Sequence, residues 1–241
     1  MDLGIVGKVA LVTAGSRGLG RATALALAAE GVQVMLSGRD ADTLEQARRA
    51  VVDAGGAADV RAGDVTDPGE PDRLVATTVE RFGGVDILVA NAGGPPPGRA
   101  IDQSDEALEA AINANLLTSV RLVRESLPHM RAAGWGRICC ITSYTVQQAS
   151  PVLALSNTAR VGLWGWLKTA ANDLASESSG VTINMICPGP HATDRMKQLG
   201  GSGVMGDPAD FGSVAAFLCS AQAGFVNGAA VVVDGGATLA L

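Results

Sequence analysis

The stretch Lys8–Gly31, KVALVTAGSRGLGRATALALAAEG, decides the fold. It begins with a short apolar run, Val9–Val12, whose β-branched residues are typical of a buried strand. A glycine-bearing turn follows over Thr13–Gly20, and the alanine- and leucine-rich run Arg21–Glu30 predicts a helix. This order aims backbone N–H groups and a helix N-terminus at one point, which predicts an anion site suited to a dinucleotide pyrophosphate. A plain connection that binds nothing is the alternative, because glycine also serves ordinary tight turns.

The composition of the 241 residues excludes several classes of protein. Hydrophobic residues make up 47% and charged residues 17% of the chain, which fits a globular protein and not a disordered one. A formal net charge of −6, with no basic block, argues against a nucleic-acid partner. No apolar run reaches the length of a membrane span, and no secretory signal is visible, so we expect a cytoplasmic protein.

The four cysteines predict buried thiols rather than a disulfide or a metal site. None of them are spaced as C-x-x-C, and the first three lie in apolar, strand-like runs, as expected of free thiols in a reducing compartment. The cysteines are Cys139, Cys140, Cys187 and Cys219.

Strand-like and helix-like segments alternate along the rest of the chain. Further strands are predicted at Val32–Leu36, Ala57–Arg61, Val85–Ala90, Ile138–Ile141, Val181–Ile186 and Ala229–Val233, and further helices at Thr43–Ala54, Pro71–Phe82, Ser104–Ala132, Ser156–Ser176 and Ala209–Cys219. Repeated strand–helix units give a parallel sheet with helices on both faces. We therefore expect one doubly wound, Rossmann-like α/β domain over residues 1–241, with ligands at the carboxyl ends of its strands.

Several short motifs stand in a fixed order along the whole chain. They are the turn Thr13–Gly20, Asp64-Val65, Asn91-Ala92-Gly93, Asn115, Ser143, Asn184 with Pro188-Gly189 and Thr193, and the terminal Val233-Asp234-Gly235-Gly236. In this order the chain resembles the short-chain dehydrogenase/reductase family, although Ala14 stands where the family's first turn glycine falls. The resemblance implies a nicotinamide cofactor, a small-molecule carbonyl or alcohol substrate and a homo-oligomer, either a tetramer or a dimer. The resemblance and the residues at the end of the second strand together predict the cofactor-binding residues. These are Thr13, Gly15, Ser16, Arg17, Gly18, Leu19, Ser37, Arg39, Asp64, Val65, Asn91, Ala92, Gly93, Arg160, Pro188, Gly189 and Thr193.

The end of the second strand predicts NADP(H) rather than NAD(H). An NAD site usually carries an acid there, which binds the ribose 2′-hydroxyl. This chain has Ser37-Gly38-Arg39 instead, and Arg39 together with Arg17 can pair with a 2′-phosphate. Asp40 comes one residue late and can cap the next helix.

The catalytic positions depart from the family pattern. The family's Y-x-x-x-K is replaced by Ser156-Asn157-Thr158-Ala159-Arg160, a spacing that keeps its two ends on one helix face. In the family the tyrosine protonates the carbonyl oxygen, and the lysine favours the phenolate and holds the nicotinamide ribose. Ser156 can hydrogen-bond an oxyanion but is a poor proton donor. Arg160 keeps the positive charge and can hold ribose hydroxyls, but it does not release a proton.

Other groups could supply the proton. Tyr144 directly follows Ser143, but it faces the other way if the strand pleat continues, and a packing tyrosine is the alternative. His191 lies near the expected nicotinamide, and a surface-loop histidine is the alternative. Asn115 is expected to hold a water of the proton relay, by resemblance to the family.

Two functions stay open. The first is an NADP(H)-dependent carbonyl reductase or alcohol dehydrogenase, similar to 3-oxoacyl reductases, with Asn115, Ser143, Ser156 and Arg160 at the reaction. The second is a dinucleotide-binding protein without redox turnover, which serves as a sensor, a partner subunit or a non-redox catalyst. A short segment near 194–207 is expected to form the substrate lid, and its glycines predict mobility.

Overall fold

In the computed structural model, which describes residues 1–201 and 203–240, seven parallel strands form one sheet. The strands are β1 (Val9–Val12), β2 (Gln33–Gly38), β3 (Ala57–Ala62), β4 (Ile87–Ala90), β5 (Gly136–Ile141), β6 (Val181–Pro188) and β7 (Ala230–Val233). They lie in the order β3-β2-β1-β4-β5-β6-β7, so the chain reverses its direction across the sheet between β1 and β4. The predicted Rossmann-like fold is confirmed, and this reversal is the place where such sheets bind ligands.

Helices cover both faces of the sheet. They are α1 (Gly18–Ala29), α2 (Ala41–Asp53), α3 (Glu70–Phe82), α4 (Asp105–Ile112), α5 (Thr118–Ala133), α6 (Ala154–Ser176), α7 (Asp194–Gln198) and α8 (Pro208–Leu218). Side chains of β1 alternate between the two cores: Ala10 and Val12 pack with α1, α2 and α8, while Leu11 packs with α3, α5 and α6. The described part of the chain has no helix that is both long and apolar enough for a membrane crossing.

The long helix predicted from Ser104 to Ala132 contains an irregularity. Ser104 caps it as expected, because its Oγ accepts a hydrogen bond from Ala107 N at 3.3 Å. A wide π turn over Asn113–Leu117 then separates α4 from α5. The turn points Asn115 inward, where it is only 3% exposed. Such turns often occur at functional sites, and here the turn brings an amide group into the interior.

The first turn is strained at the position where the family has glycine. Ala14 has a φ of 46°, in the left-handed region that residues with a Cβ avoid. The turn is held in place by Gly15 N, which donates to Ser37 O at 2.9 Å. On its other side, a Cβ on Gly20 would run into the Ala14 carbonyl oxygen. The alanine is therefore fixed in this conformation by its neighbours.

We predict that Ala14→Gly stabilises the protein. The left-handed conformation costs an alanine about 1–2 kcal/mol, and the greater freedom of glycine in the unfolded chain offsets about 0.4–1 kcal/mol of the gain. The free energy of unfolding, measured in urea, should rise by about 1 kcal/mol. As a control, Ala50→Gly within α2 should lower it by about 1 kcal/mol. A lower stability for Ala14→Gly would contradict this description of the turn.

Candidate active site

The ends of β1 and β4 are joined by one threonine. Thr13 is fully buried, and its Oγ1 donates to Asn91 O at 2.7 Å and accepts from Asn91 N at 2.9 Å. Its own N–H donates to Val89 O at 3.1 Å. These bonds fix the glycine turn against the segment Asn91–Gly93, so the two predicted cofactor motifs form one edge of the cleft.

The N-terminus of α1 has no cap from the protein. Its N-cap residue, Arg17, makes no side-chain capping bond, and the first turn contains no acid. Side chains cap α2, α4, α7 and α8, whereas α3 and α6, like α1, begin without a side-chain cap. The first N–H groups of an uncapped helix are free to bind an anion. Thr193 lies across from this end, because a Cβ on Gly18 would lie 3.6 Å from its Cγ2. A dinucleotide pyrophosphate fits this cradle.

The end of β2 presents positive charge to the cleft. Arg39 and Arg17 are exposed there, whereas Ser37 is fully buried beneath the turn. Asp40 is used elsewhere: its carboxylate accepts from Thr43 N at 2.8 Å and so caps α2. The hydrogen bonds from Thr43 lower the pKa of Asp40, and the charge of Arg17 adds to this. No acid in this part of the described chain is thus left for a ribose 2′-hydroxyl.

The segment after β3 is tied to the π turn. Asp64 is exposed, and its Oδ1 accepts from Thr66 N at 3.0 Å and from Thr66 Oγ1 at 2.8 Å. Val65 is buried, and its carbonyl accepts from Thr118 Oγ1 at 3.3 Å. The two predicted adenine-contact residues are therefore held by their own turn and by the first residue of α5.

Ser156 and Arg160 are hydrogen-bonded to each other on α6. Arg160 Nε donates to Ser156 Oγ at 3.1 Å, and Arg160 Nη1 donates to Ile141 O, at the end of β5, also at 3.1 Å. Both side chains are only 7% exposed. Burial lowers the pKa of Arg160 to about 10, so the guanidinium stays charged at neutral pH. The predicted pair thus lies together as a cation bound to a hydroxyl oxygen.

Ser143 begins the short 3₁₀ turn Tyr144–Val146. Its Oγ accepts from Thr145 N at 3.2 Å and from Thr145 Oγ1 at 3.0 Å, which leaves its own O–H free to donate. Tyr144 is half-buried. The pleat has ended before this turn, so the alternation rule does not fix where Tyr144 points.

His191 is not a surface histidine. It is only 4% exposed, and its ring packs edge-on against Phe211 with centroids 5.2 Å apart. Its Nδ1 lies 3.0 Å from Gly189 O. A Cβ on Gly206 would lie 3.0 Å from its Nε2. The surface-loop alternative is therefore wrong, because the loop after β6 folds back over α8, and His191 holds that loop in place.

Asn115 has one bonded and one unpaired polar atom. Its Nδ2 donates to Ala111 O at 3.5 Å. Its Oδ1 is buried and has no hydrogen-bond partner among the described residues. A buried amide oxygen without a partner can accept a hydrogen bond from water.

Sequence reasoning missed the residue that reaches across the cleft. Just before the predicted lid, Thr193 caps the short helix α7 by accepting from Met196 N at 3.3 Å. Arg195 of α7 is half-buried and donates from Nη2 to Pro95 O at 2.7 Å. Thr193 followed by Asp194 is a capping signal in the sequence. No local pattern predicts a contact between residues as far apart in the chain as Pro95 and Arg195. Ser202 of the predicted lid lies outside the described residues.

Comparisons with known proteins agree with this geometry. A family model described as enoyl-(acyl carrier protein) reductase matches residues 13–238. The chain belongs to the short-chain dehydrogenase/reductase family. Within this family it is 35% identical to a 3-oxoacyl-[acyl-carrier-protein] reductase of Synechocystis sp., over 96% of this chain and 97% of that protein. It is 30% identical to dehydrogenase/reductase SDR family member 4 of Homo sapiens, over 96% of this chain and 88% of that protein.

A solved structure in this family is also similar over its whole length. The L-sorbose reductase from Gluconobacter frateurii, complexed with NADPH and L-sorbose, superimposes with a TM-score of 0.93. It is 30% identical to this chain, and the match covers 100% of both chains. The chain therefore has the architecture of an oxidoreductase family.

Proposed function

We propose that the protein binds NADP(H) and acts as an oxidoreductase on a carbonyl or alcohol, as its 3-oxoacyl reductase relatives do. The observation that carries the proposal is the uncapped N-terminus of α1, fixed beside Asn91–Gly93 by the bonds of Thr13. When bound, the nicotinamide would supply or accept a hydride at the substrate carbon. The residues proposed to hold the cofactor are those of the turn and strand ends: Gly15, Ser16, Arg17, Gly18, Leu19, Arg39, Asp64, Val65, Asn91, Ala92, Gly93, Arg160, Pro188, Gly189 and Thr193. Thr13 and Ser37, which are fully buried, would support the turn from beneath.

The preference for NADP(H) rests on charge at the end of β2. Arg39 and Arg17 are exposed there, and Asp40 is committed to capping α2. Guanidinium groups bind a phosphate through charge-assisted hydrogen bonds, while a free acid would favour a ribose hydroxyl. The NADPH bound in the sorbose reductase supports the same choice.

We predict that Arg39→Ala weakens NADPH binding selectively. The loss of a charge-assisted contact to the 2′-phosphate should raise the dissociation constant for NADPH about tenfold, and that for NADH less than about twofold. Calorimetric titration measures both constants. Arg49→Ala, which removes an exposed arginine from α2, is the matched control. Equal losses for the two cofactors would disprove the role given to Arg39.

The protein's own groups at the reaction are hydroxyls supported by one cation. We propose that Ser143 and Ser156 donate hydrogen bonds to the substrate oxygen. Arg160 Nε already donates to Ser156 Oγ, which leaves the serine proton for the substrate and stabilises negative charge near it. Asn115 Oδ1, which has no partner among the described residues, would hold a water molecule that supplies a proton to the substrate oxygen. Ser156 and Arg160 together stabilise an oxyanion well but supply a proton poorly.

We predict that Ser156→Tyr combined with Arg160→Lys raises reductase turnover, because it restores a positioned phenol. General acid catalysis contributes about 10²–10⁴-fold in enzymes, so the turnover number should rise at least about tenfold. NADPH oxidation with a panel of ketones, 3-oxoacyl thioesters and quinones measures the rate. Single Arg160→Lys, which supplies no phenol, is the control. An unchanged rate with NADPH still bound would show that proton supply is not limiting.

Binding without redox turnover is the second candidate function. The observation in its favour is that Ser156 and Arg160 bind each other and the backbone, so no phenol stands on this face of α6. The same panel decides between the two functions. Turnover of any member with NADPH supports the oxidoreductase, whereas binding of NADPH with no turnover throughout supports the second candidate.

A further inference from the structure

Two arginines from different elements lie near the carboxyl ends of β4 and β5. Arg160 comes from α6, and its Nε and Nη1 donate to Ser156 Oγ and Ile141 O. Arg195 comes from α7, and among the described residues it bonds the carbonyl of Pro95, through Nη2. A Cβ on Gly94 would lie 3.2 Å from that nitrogen and 3.3 Å from Nε, so the guanidinium lies against the loop that follows Asn91–Gly93.

Neither arginine has an acidic partner among residues 1–201 and 203–240. No ion pair in the described part of the chain includes Arg160 or Arg195. The nearest acid in sequence, Asp194, faces Lys197 at 3.4 Å. Asp234, packed beside Gly189, accepts hydrogen bonds from the backbone N–H groups of its own turn.

The segments that follow β4 and β5 add no negative charge. Asn91–Gly98 and Ser143–Ser156 contain no charged residue at all. A backbone bridge between Gly98 and Leu153 joins these two segments. The chain as a whole carries a net charge of −6, so this local excess of positive charge runs against its overall balance.

A buried guanidinium without an acidic partner among the described residues is costly, and an anion between Arg160 and the half-buried Arg195 would relieve that cost. Burial is the main reason that the pKa of Arg160 falls, and the charge of Arg195 lowers it further. Carbonyl partners satisfy individual N–H groups, but they do not neutralise either charge. A carboxylate matches the planar fork of an arginine.

We infer that Arg195, assisted by Arg160, forms an anion site that binds a carboxylate of the substrate beside its reacting carbonyl or alcohol. This inference rests on the proposed function and narrows its substrate class to oxo acids or hydroxy acids. The phosphates of the cofactor are also anionic, so the experiment must distinguish a substrate carboxylate from a cofactor phosphate.

The test uses binding, so it does not depend on turnover. The wild-type protein is titrated by calorimetry with pyruvate, acetoacetate and levulinate, and with the methyl ester of each, with and without saturating NADP⁺. NADP⁺ is the oxidised cofactor and cannot reduce these ketones, so the titration measures binding alone. At least one acid should bind about tenfold more tightly than its ester.

Three variants assign that preference to its residue. Arg195→Gln should abolish the preference for the acid, and Arg195→Lys should retain part of it. Lys197→Gln, which removes an exposed cation from the same helix, should leave the preference unchanged. Binding of the esters and of NADP⁺ should change less than about twofold in all three variants.

Equal binding of acids and esters, or no binding of any acid, would overturn the inference. A loss of NADP⁺ affinity in Arg195→Gln without an acid preference would overturn it in favour of a cofactor phosphate. Acid-selective binding without NADPH turnover of any probe would sink the proposed redox function but leave the anion site standing.

Discussion

The buried guanidinium of Arg160 is the constraint on which the chemistry of this site depends. A charge that is 93% removed from solvent must be satisfied by the groups around it, and here those groups are a serine oxygen and the last carbonyl of β5. Fixing Arg160 in this way also fixes Ser156, because the same bond directs the serine oxygen toward the cation. In the proposed function, this arrangement stabilises negative charge on a substrate oxygen rather than releasing a proton.

The rest of the cleft is built around positive charge as well. The uncapped N-terminus of α1 and the exposed Arg39 stand where we propose the cofactor binds, and Arg195 stands where we propose the substrate binds. Acids that lie close in sequence are occupied, Asp40 by capping α2 and Asp194 by Lys197. These two acids are thus engaged by other groups, which favours anionic ligands beside the arginines.

The sequence predicts the scaffold because the scaffold depends on local rules. Largely apolar runs marked six of the seven strands to within a few residues, and β3, which carries Asp59 and Arg61, was placed by the alternation of strands and helices. Short polar residues marked the caps of α2 and α4. The four cysteines are free and buried, as their apolar surroundings indicated. The candidate catalytic pair was located by resemblance to the family's Y-x-x-x-K, and its spacing places both residues on one helix face.

Features set by distant contacts could not be predicted in the same way. The π turn at Asn115 leaves no clear mark on helix propensity, and the burial of His191 depends on Phe211 of α8. The reach of Arg195 to Pro95 depends on how the lid lies across the sheet. Each of these depends on the tertiary path of a loop, whereas strand and cap patterns depend only on neighbouring residues.

The pH dependence of the turnover number for carbonyl reduction tests the account most directly. A serine hydroxyl does not titrate near neutrality, and Arg160, with its pKa lowered only to about 10, keeps its proton there. The account therefore predicts a turnover number that is constant between about pH 6 and pH 8. A titration with its midpoint inside that range would contradict the account, because it would place a titrating group such as an imidazole at the reaction.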